Sequence, residues 1–433
     1  MAKKIMKDNF DKYYQAVKYL ESLWRLPQDD YFIKKTGRKI FIKRLEYLLK
    51  ILGNPEKNLK YIHVGGTSGK GSVACMIHSV LTQSGYQAGL FTSPVCTTSI
   101  EKIKVGNLLI SPKKFAQIVK KLKPAIDQCY QKSPYGHPSY FEVFTALAFL
   151  YFKEKKCDYV ILEVGLGGQF DATNVIPPAK ITVINLVDYD HTEILGKTLK
   201  KIAQDKAGII KPKTIFFTPK QNAGVLKVFQ KACQKNQAEF NLISDFTKQY
   251  RLGLPGKHQQ KNAALAVAVC QKLGIKKEKI IAGLRQAKLP CRLEIISKNP
   301  LIILDGAHNA SKIKTTVDFI KNLTYHKLYL IIALTNERSP KEIFGEIKSL
   351  ADYIFITRYQ TNAKKCYPPK KLKKELNPKP PTEIFLDANM ALAKAKKLAK
   401  KNDLILITGS LYLSGELRNN WRSEKIILKE RKT

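Results

Sequence analysis

The chain has 433 residues, 44% of them apolar, which is enough for two domains with sizeable cores. Its net charge of +41 comes from 76 Lys and Arg against 35 Asp and Glu, but only 11 of the 76 are arginine and the lysines are spread along the whole chain. Spread lysines are typical of a solvated surface, whereas readers of base sequence depend on arginine. The composition therefore argues against a specific nucleic acid partner.

Other features indicate where the protein works. No apolar run reaches the roughly 18 residues that a membrane span needs, and the N-terminal residues lack the apolar core of a secretory leader. The eight cysteines are scattered singly, without a CxxC pair, which is typical of a reducing compartment and argues against a zinc ribbon. We expect a cytoplasmic protein without a membrane partner, and a monomer.

Short apolar strands alternate with amphipathic helices through the first 289 residues. The strands are rich in β-branched residues and apolar on both faces, which predicts buried parallel strands in a doubly wound α/β fold. The predicted strands are 61–64, 88–93, 159–165, 181–187 and 214–219, and the helices between them include 72–85 and 198–210.

A second series of strands and helices begins near Pro290. Strands predicted at 301–306, 328–334, 383–387 and 404–410, with helices between them, indicate a smaller α/β domain over 290–433 with a Rossmann-like arrangement. We expect the last residues, 421–433, to be partly disordered.

The stretch HVGGTSGKGSV, residues 63–73, joins the first predicted strand to an apolar helix. A glycine-rich loop in that place exposes backbone N–H groups and a helix N-terminus, an arrangement that binds phosphate, and Lys70 adds a positive charge. The strict pattern GxxxxGK[ST] is not met, because Gly71 follows Lys70 and the hydroxyl comes one place later, at Ser72. A glycine turn without a ligand is the alternative.

Two polar residues lie at the ends of predicted strands, where α/β sheets bind ligands. Glu163 ends the strand 159–165, so it is either an acid exposed at a sheet edge or one that is paired or bound to a metal. His191 precedes a helix and either caps it or binds a ligand. Lys206 has no distinguishing feature by spacing alone.

GTSGKGS, residues 66–72, resembles the phosphate loop of the Mur ligase superfamily, and most closely that of the folylpolyglutamate synthetase and dihydrofolate synthetase family, with Ser68 in place of the usual Asn. Further segments have family counterparts in the same order. They are LFTSP (90–94), EKIKVGN (101–107), FEVFTALAFLYF (141–152), LEVGLGGQFDATN (162–174), DHTEILG (190–196), KAGIIK (206–211), GKHQQKNAALA (256–266), RLE (292–294), DGAHN (305–309) and TGSLYLSGELR (408–418).

The resemblance implies an N-terminal P-loop-type ATP-binding Mur ligase domain with a parallel sheet, 1–289, and a C-terminal glutamate-ligase domain, 290–433. It also implies an ATP-dependent ligase that adds L-glutamate to a folate, or to dihydropteroate, through an acyl phosphate, with release of ADP and phosphate. Two alternatives remain: a Mur-type ligase with another carboxylate acceptor and, less favoured, a P-loop protein that binds nucleic acid.

The resemblance also assigns roles to residues. It implies two Mg²⁺ sites, and it implies that Lys206 is carbamylated. The implied nucleotide contacts are Gly66, Thr67, Ser68, Gly69, Lys70, Gly71, Ser72, Asn262, Arg292 and Asp305; the implied metal ligands are Ser72, Glu163, His191 and Lys206; the implied catalytic residues are Lys70, Lys206 and His308. His308 either faces the incoming glutamate or supports its loop.

Three further departures from the family pattern stand out. Cys291 replaces a glycine, which we expect to alter the turn between the two domains. Gln169 stands where an arginine is common, and VCTTSI, residues 95–100, is smaller and more polar than the corresponding part of the family's folate pocket. We therefore expect glutamate addition to tetrahydrofolate to be stronger than dihydrofolate synthesis.

Overall fold

The computed structural model describes residues 10–23, 37–244, 249–336, 338–361 and 364–432. The N-terminal residues 1–9, on which the expected absence of a leader depends, lie outside this set. In the first half the elements are α1 (Asp11–Ser22), α2 (Lys39–Ile51), β1 (Tyr61–Gly65), α3 (Lys70–Gln83), β2 (Ala88–Phe91), β3 (Ile103–Val105), β4 (Leu108–Leu109), α4 (Pro112–Lys132), α5 (Tyr140–Glu154), β5 (Tyr159–Glu163), β6 (Ile181–Ile184), α6 (Thr192–Leu195), α7 (Leu199–Ala207), β7 (Ile215–Pro219), α8 (Ala223–Asn236), β8 (Glu239–Ile243), α9 (His258–Lys272) and α10 (Lys277–Gln286).

The second half follows the same alternation. Its elements are β9 (Glu294–Lys298), β10 (Leu301–Leu304), α11 (Ala310–Ile320), β11 (Leu328–Ile332), α12 (Pro340–Phe344), β12 (Tyr353–Ile356), α13 (Pro369–Leu376), β13 (Thr382–Ile384), α14 (Ala388–Leu398), β14 (Leu404–Thr408), α15 (Leu411–Arg418) and α16 (Glu424–Glu430).

The first sheet has the order β4-β3-β2-β5-β1-β6-β7-β8. The six strands from β2 to β8 run parallel, and the five strands predicted from the sequence are all among them, with their ends shifted. The sheet is not purely parallel, because β3 and β4 form an antiparallel edge. Since β1 lies between β5 and β6, the loop after β1 emerges beside the carboxyl ends of both neighbours.

Both faces of this sheet are covered by helices, as apolar residues on both faces of a strand require. From β1, Tyr61 joins a core with helices α4 and α5, while Ile62 and Val64 join a second core with α3 and α9. This packing fixes β1, and with it the start of the loop that follows.

The second sheet has the order β13-β12-β11-β14-β10-β9, in which β9 alone runs antiparallel to its neighbour. The fold class expected from the sequence, two α/β units with mostly parallel sheets, is confirmed. The boundary at 289/290 stays a prediction. Among the described residues, no helix has both the length and the apolar character needed to cross a membrane.

The expectation of disorder at the C-terminus is wrong for the described residues up to 432. Helix α16 is capped by Ser423, and its Ile427 and Leu428 are buried in the core formed by α1, α4 and α5 of the first half. The backbone N–H of Leu109 donates to the carbonyl of Arg431 at 2.9 Å. Burial of these two aliphatic side chains, the serine cap and the contact with Leu109 together stabilise the ordered helix.

Candidate active site

The loop after β1 adopts a conformation that only glycine permits at two positions. Gly66 has φ of 132° and Gly69 has φ of 77°. A Cβ atom at Gly69 would lie 2.3 Å from Nδ2 of Asn185 and 2.5 Å from Oδ1 of Asn262. The glycines therefore let the loop pass close to the end of β6 and the start of α9 before α3 begins at Lys70.

A cavity of about 440 Å³ lies between this loop and the second sheet. Its walls carry five Lys or Arg side chains (70, 257, 261, 292 and 312) against two carboxylates (163 and 305), so it is suited to an anion. The predicted site residues on its surface are Thr67, Ser68, Gly69, Lys70, Gly71, Ser72, Glu163, Asn262, Arg292 and Asp305. Gly66, His191, Lys206 and His308 are not among the lining residues.

The two hydroxyl groups of Thr67 and Ser68 in this loop differ in their hydrogen bonds. Thr67 Oγ1 donates to the carbonyl oxygen of Asp188 and accepts from the Asp188 N–H, both at 3.1 Å. Lys70 Nζ donates to the carbonyl oxygen of Gly66 at 3.1 Å. The buried Ser68 hydroxyl makes no hydrogen bond within the described residues. Lys70 thus has neutral acceptors, which leaves its charge available to a ligand.

Glu163 is a buried acid at the end of β5, only 7% exposed. Its Oε2 accepts from the backbone N–H of Ser93 at 3.2 Å, and a Cβ atom at Gly71 would lie 3.2 Å from its Oε1. Burial raises the pKa of this carboxyl, and the charge of Lys70 opposes that rise. No basic side chain of the described residues forms an ion pair with it, so its oxygens can serve a bound cation.

Lys206 lies below the loop rather than in the cavity wall. The side chain is buried, and Nζ donates to the carbonyl oxygen of Gly66 at 3.1 Å. Burial, together with repulsion from Lys70, lowers the pKa of Lys206 to about 7. The neighbouring Asp205 does not neutralise it by direct contact, since that carboxylate pairs with Arg38 at 2.8 Å. A large share of Lys206 is therefore a neutral, nucleophilic amine at physiological pH.

His191 is not among the residues that line the cavity. It occupies the N-cap position of α6 in a left-handed backbone conformation, φ 50°, but its side chain makes no capping hydrogen bond. The ring lies 3.9 Å from Oδ1 of Asp190, and that carboxylate accepts from Arg338 of the second half at 2.9 Å. The interpretation of His191 as a simple helix cap is wrong for this structure.

The second sheet supplies the opposite wall of the cavity. Asp305, after β10, accepts from the N–H of Leu293 at 3.2 Å and from Thr316 Oγ1 at 2.5 Å. His308 Nδ1 donates to the carbonyl oxygen of Gly306 at 2.8 Å. These bonds tie the loop 305–309 to the turn that carries Arg292.

Two cavity residues were missed by sequence reasoning. Asn185, at the end of β6, donates from Nδ2 to Asn262 Oδ1 at 2.8 Å, and Asn262 donates in turn to Gln259 Oε1 at 2.8 Å. The position of Asn185 near the end of a predicted strand is the sequence feature that could have identified it. Lys312 lies on α11, and nothing in a lysine-rich sequence distinguishes it from the other lysines.

The two halves are also joined beside the cavity by Arg418 of α15, which is 1% exposed. Its Nε donates to Glu294 Oε2 at 2.9 Å, and its Nη1 lies 3.5 Å from Glu101 Oε1. Cys291, the residue expected to alter the turn between the halves, has a left-handed backbone, φ 53°, and its side chain is fully buried. Left-handed backbone explains why glycine suits this position.

A second cavity, of about 890 Å³, lies between α7 and α8. Gln169 lines it, together with five lysines, but none of the residues predicted for the site does. It has neither the phosphate loop nor a carboxylate, so the chemistry belongs to the smaller cavity.

Comparisons with known proteins point to one family. The Mur ligase middle domain family matches residues 64–232, and the Mur ligase glutamate ligase domain family matches residues 291–411. The chain is 32% identical over 419 residues to the dihydrofolate synthase/folylpolyglutamate synthase of Bacillus subtilis, covering 89% of this chain and 95% of that protein. It is 30% identical to the folylpolyglutamate synthase of Lacticaseibacillus casei, covering 94% and 98%.

Solved structures give the same result. The folylpolyglutamate synthase of Thermotoga maritima superposes with a TM-score of 0.80 at 29% identity, covering 96% of this chain and 98% of that one. The Mycobacterium tuberculosis folylpolyglutamate synthase complexed with ADP gives 0.85 at 25% identity, covering 95% and 99%. The chain therefore belongs to the folylpolyglutamate synthase/dihydrofolate synthase family, with the middle and C-terminal domains of the Mur ligases.

Proposed function

We propose that this chain is an ATP-dependent ligase that adds L-glutamate to a folate, as its relatives in this family do by name. One observation carries the proposal: the phosphate loop, the buried Glu163, and Arg292 and Asp305 of the second sheet all face one cavity of about 440 Å³. Solved relatives are complexes with ADP or with AMPPCP, which supports ATP as the nucleotide here.

The reaction needs an activated carboxylate, since an amine does not displace oxygen from a carboxylate in water. The substrate carboxylate attacks the terminal phosphorus of ATP, and the bond to ADP breaks. The amine of glutamate then attacks the acyl phosphate and releases phosphate. Lys70 and the loop N–H groups hold the phosphates on one side, and Arg292 stabilises the moving charge from the other.

A magnesium ion fits the cavity at Glu163 and Ser72. Glu163 is buried without an ion pair among the described residues, and a carboxylate with a hydroxyl oxygen is a donor set that Mg²⁺ prefers. No three His, Cys, Asp or Glu side chains converge within the described part of the chain, so other oxygen donors are needed. The ion shields phosphate charge when bound.

We propose that Lys206 carries a carbamate, formed when its neutral amine adds to CO₂ and loses a proton. The lowered pKa, about 7, supplies the neutral amine, and the contact with Gly66 places the nitrogen directly beneath the loop. The carbamate would turn a cation into an anionic oxygen ligand for a second Mg²⁺, with His191 as a further candidate ligand.

The remaining assignments follow the cavity walls. Asn262, held between Asn185 and Gln259, faces the nucleotide side, and Asp305 binds the nucleotide from the second half. His308 supports the loop 305–309 through its bond to Gly306, and a contact with the incoming glutamate stays a prediction.

The test is ADP release by the purified protein. Release should be fast only when a folate, L-glutamate and Mg²⁺ are present together, because each reactant completes the next step. A panel of folate and non-folate carboxylic acids then identifies the acceptor. Equal ATP turnover with and without glutamate would refute amide ligation, and a preference for a non-folate acid would favour the other Mur-type reaction.

A further inference from the structure

The cavity contains a lysine that the proposed mechanism leaves without a role. Lys312 is the third residue of α11, and its Nζ lies 3.0 Å from Nε2 of His308. Since His308 Nδ1 faces the carbonyl oxygen of Gly306, which only accepts, Nδ1 carries the ring proton and Nε2 accepts from Lys312. The contact of Lys312 is therefore with a neutral ring nitrogen.

Lys312 has no anionic partner within the described part of the chain. No carboxylate forms an ion pair with it, although its side chain lines the cavity. Burial and the charge of Lys70 together lower the pKa of Lys312 to about 7, while Asp190 opposes the shift. The Lys312 amine is therefore only partly charged in the free protein, and an anionic ligand beside it would favour the charged form.

Two of the other basic side chains that line the cavity, Lys70 and Arg292, also donate hydrogen bonds to neutral acceptors. Lys70 donates to the carbonyl of Gly66, and Arg292 Nη1 donates to the carbonyl of Cys291 at 3.3 Å. All three side chains line the same cavity, and the charges of Lys70 and Arg292 lower the pKa of Lys312 by repulsion. A singly charged carboxylate would leave this repulsion largely in place, whereas the terminal phosphate of a nucleotide carries enough charge to offset it.

We propose that Lys312 binds the terminal phosphate of the nucleotide from the second-domain side of the cavity and stays on that group during transfer. The inference rests on the proposed function. In the transfer step, the phosphorus–oxygen bond to ADP breaks as the substrate carboxylate oxygen bonds to phosphorus, and ADP leaves with the electron pair. Lys312 neither gains nor loses a proton; it stabilises the phosphoryl oxygens as they move from nucleotide to acceptor.

The decisive measurement is binding without turnover. In Lys312→Met, which removes the charge and keeps much of the volume, affinity for magnesium β,γ-methylene ATP should fall about tenfold to hundredfold, as expected for one charge-assisted contact. Affinity for ADP should stay within about threefold, since ADP lacks the contacted group. Lys312→Arg should recover much of the loss. The thermal midpoint of Lys312→Met should be unchanged or higher, which separates a binding defect from misfolding.

Lys314→Met is the matched control, because Lys314 lies on the same helix but is exposed. It should change neither affinity. Equal weakening of the ATP analogue and ADP, or a higher KM for glutamate with unchanged analogue affinity, would overturn the inference and place Lys312 elsewhere in the reaction. If the wild-type protein fails to ligate any folate while Lys312→Met still weakens binding of the analogue but not of ADP, the proposed substrate is wrong and the phosphate contact stands.

Discussion

Arg418→Met should destabilise the protein strongly. Arg418 lies between the carboxylates of Glu101 and Glu294 at the junction of the two halves, and the substitution removes its positive charge. Arg418 is 1% exposed, donates to Glu294 at 2.9 and 3.1 Å, and lies 3.5 Å from Glu101. Breaking a buried pair by removing one partner costs about 3–5 kcal/mol, because the remaining charge is uncompensated. We expect a loss in that range in urea unfolding.

The size of the loss should depend on pH. Burial raises the pKa of Glu101, and Arg418 is among the groups that oppose the rise. A carboxyl whose folded-state pKa exceeds its unfolded value destabilises the fold above that pKa, and the penalty shrinks as pH falls and the folded state takes up the proton. Without Arg418, the loss should therefore be larger at pH 8 than at pH 5.

Two further variants make the test specific. Adding Glu101→Gln and Glu294→Gln to Arg418→Met should recover part of the stability, since no buried charge is then left unpaired. Lys321→Met removes an exposed pair with Glu346, at 2.9 Å, and should cost far less stability than Arg418→Met because solvent screens that pair. A loss below about 1 kcal/mol for Arg418→Met, or a loss that grows towards pH 5, would refute the reasoning.

Three predictions concern the cavity directly. Gly69→Ala should abolish tight nucleotide binding in a calorimetric titration, because its Cβ would lie 2.3 Å from Asn185 Nδ2. Lys206→Ala should lower kcat by about a hundredfold or more, and acetate or formate should restore part of the activity. The rate of the wild-type protein should rise between pH 6 and pH 8 and should require dissolved CO₂, because only the neutral amine forms a carbamate and the pKa of Lys206 is about 7. Near-normal activity of that variant would remove Lys206 from the site. Arg292→Ala should lower kcat far more than the thermal midpoint, and parallel losses would make Arg292 a structural residue.

The fold was largely predictable because its signal is local. Strands apolar on both faces, such as β1 and β5, are distinctive wherever both faces of a sheet are covered, and the glycine loop marks the strand-to-helix turn. The edge strands β3 and β4 are only three and two residues long and gave no usable periodicity. Helix α16 was missed because its order depends on packing against a core more than 270 residues earlier in sequence, formed around α4 and α5.

Much of the cavity could be placed from motifs, but not the state of each side chain. Ten predicted residues share one cavity, since strand ends and the loop converge at one edge of the first sheet. Neither the position of Lys206 beneath the loop nor the unpaired charge of Lys312 follows from spacing. Both depend on how the nearby acids are paired: Asp205 forms an ion pair with Arg38, and Asp190 forms one with Arg338, so neither acid pairs with these lysines.

The structure also sharpens the expectation about the preferred folate. Three of the six residues in the stretch 95–100 are buried in the protein itself: Thr98 shares a hydrogen bond of 2.6 Å with Tyr13, and Ser99 and Ile100 are similarly enclosed. These side chains have no free surface for a pteridine ring, so any loss of stacking must come from residues 95–97. That part is held through its backbone, because Glu101 Oε2 accepts three N–H groups at 2.7–3.2 Å while Oε1 of the same carboxylate lies 3.5 Å from Arg418. We therefore expect a higher kcat/KM for tetrahydrofolate than for dihydropteroate at saturating ATP and glutamate, and we expect Arg418→Lys to raise KM for both acceptors by a similar factor. A higher value for dihydropteroate would show that this stretch does not limit the pteridine pocket.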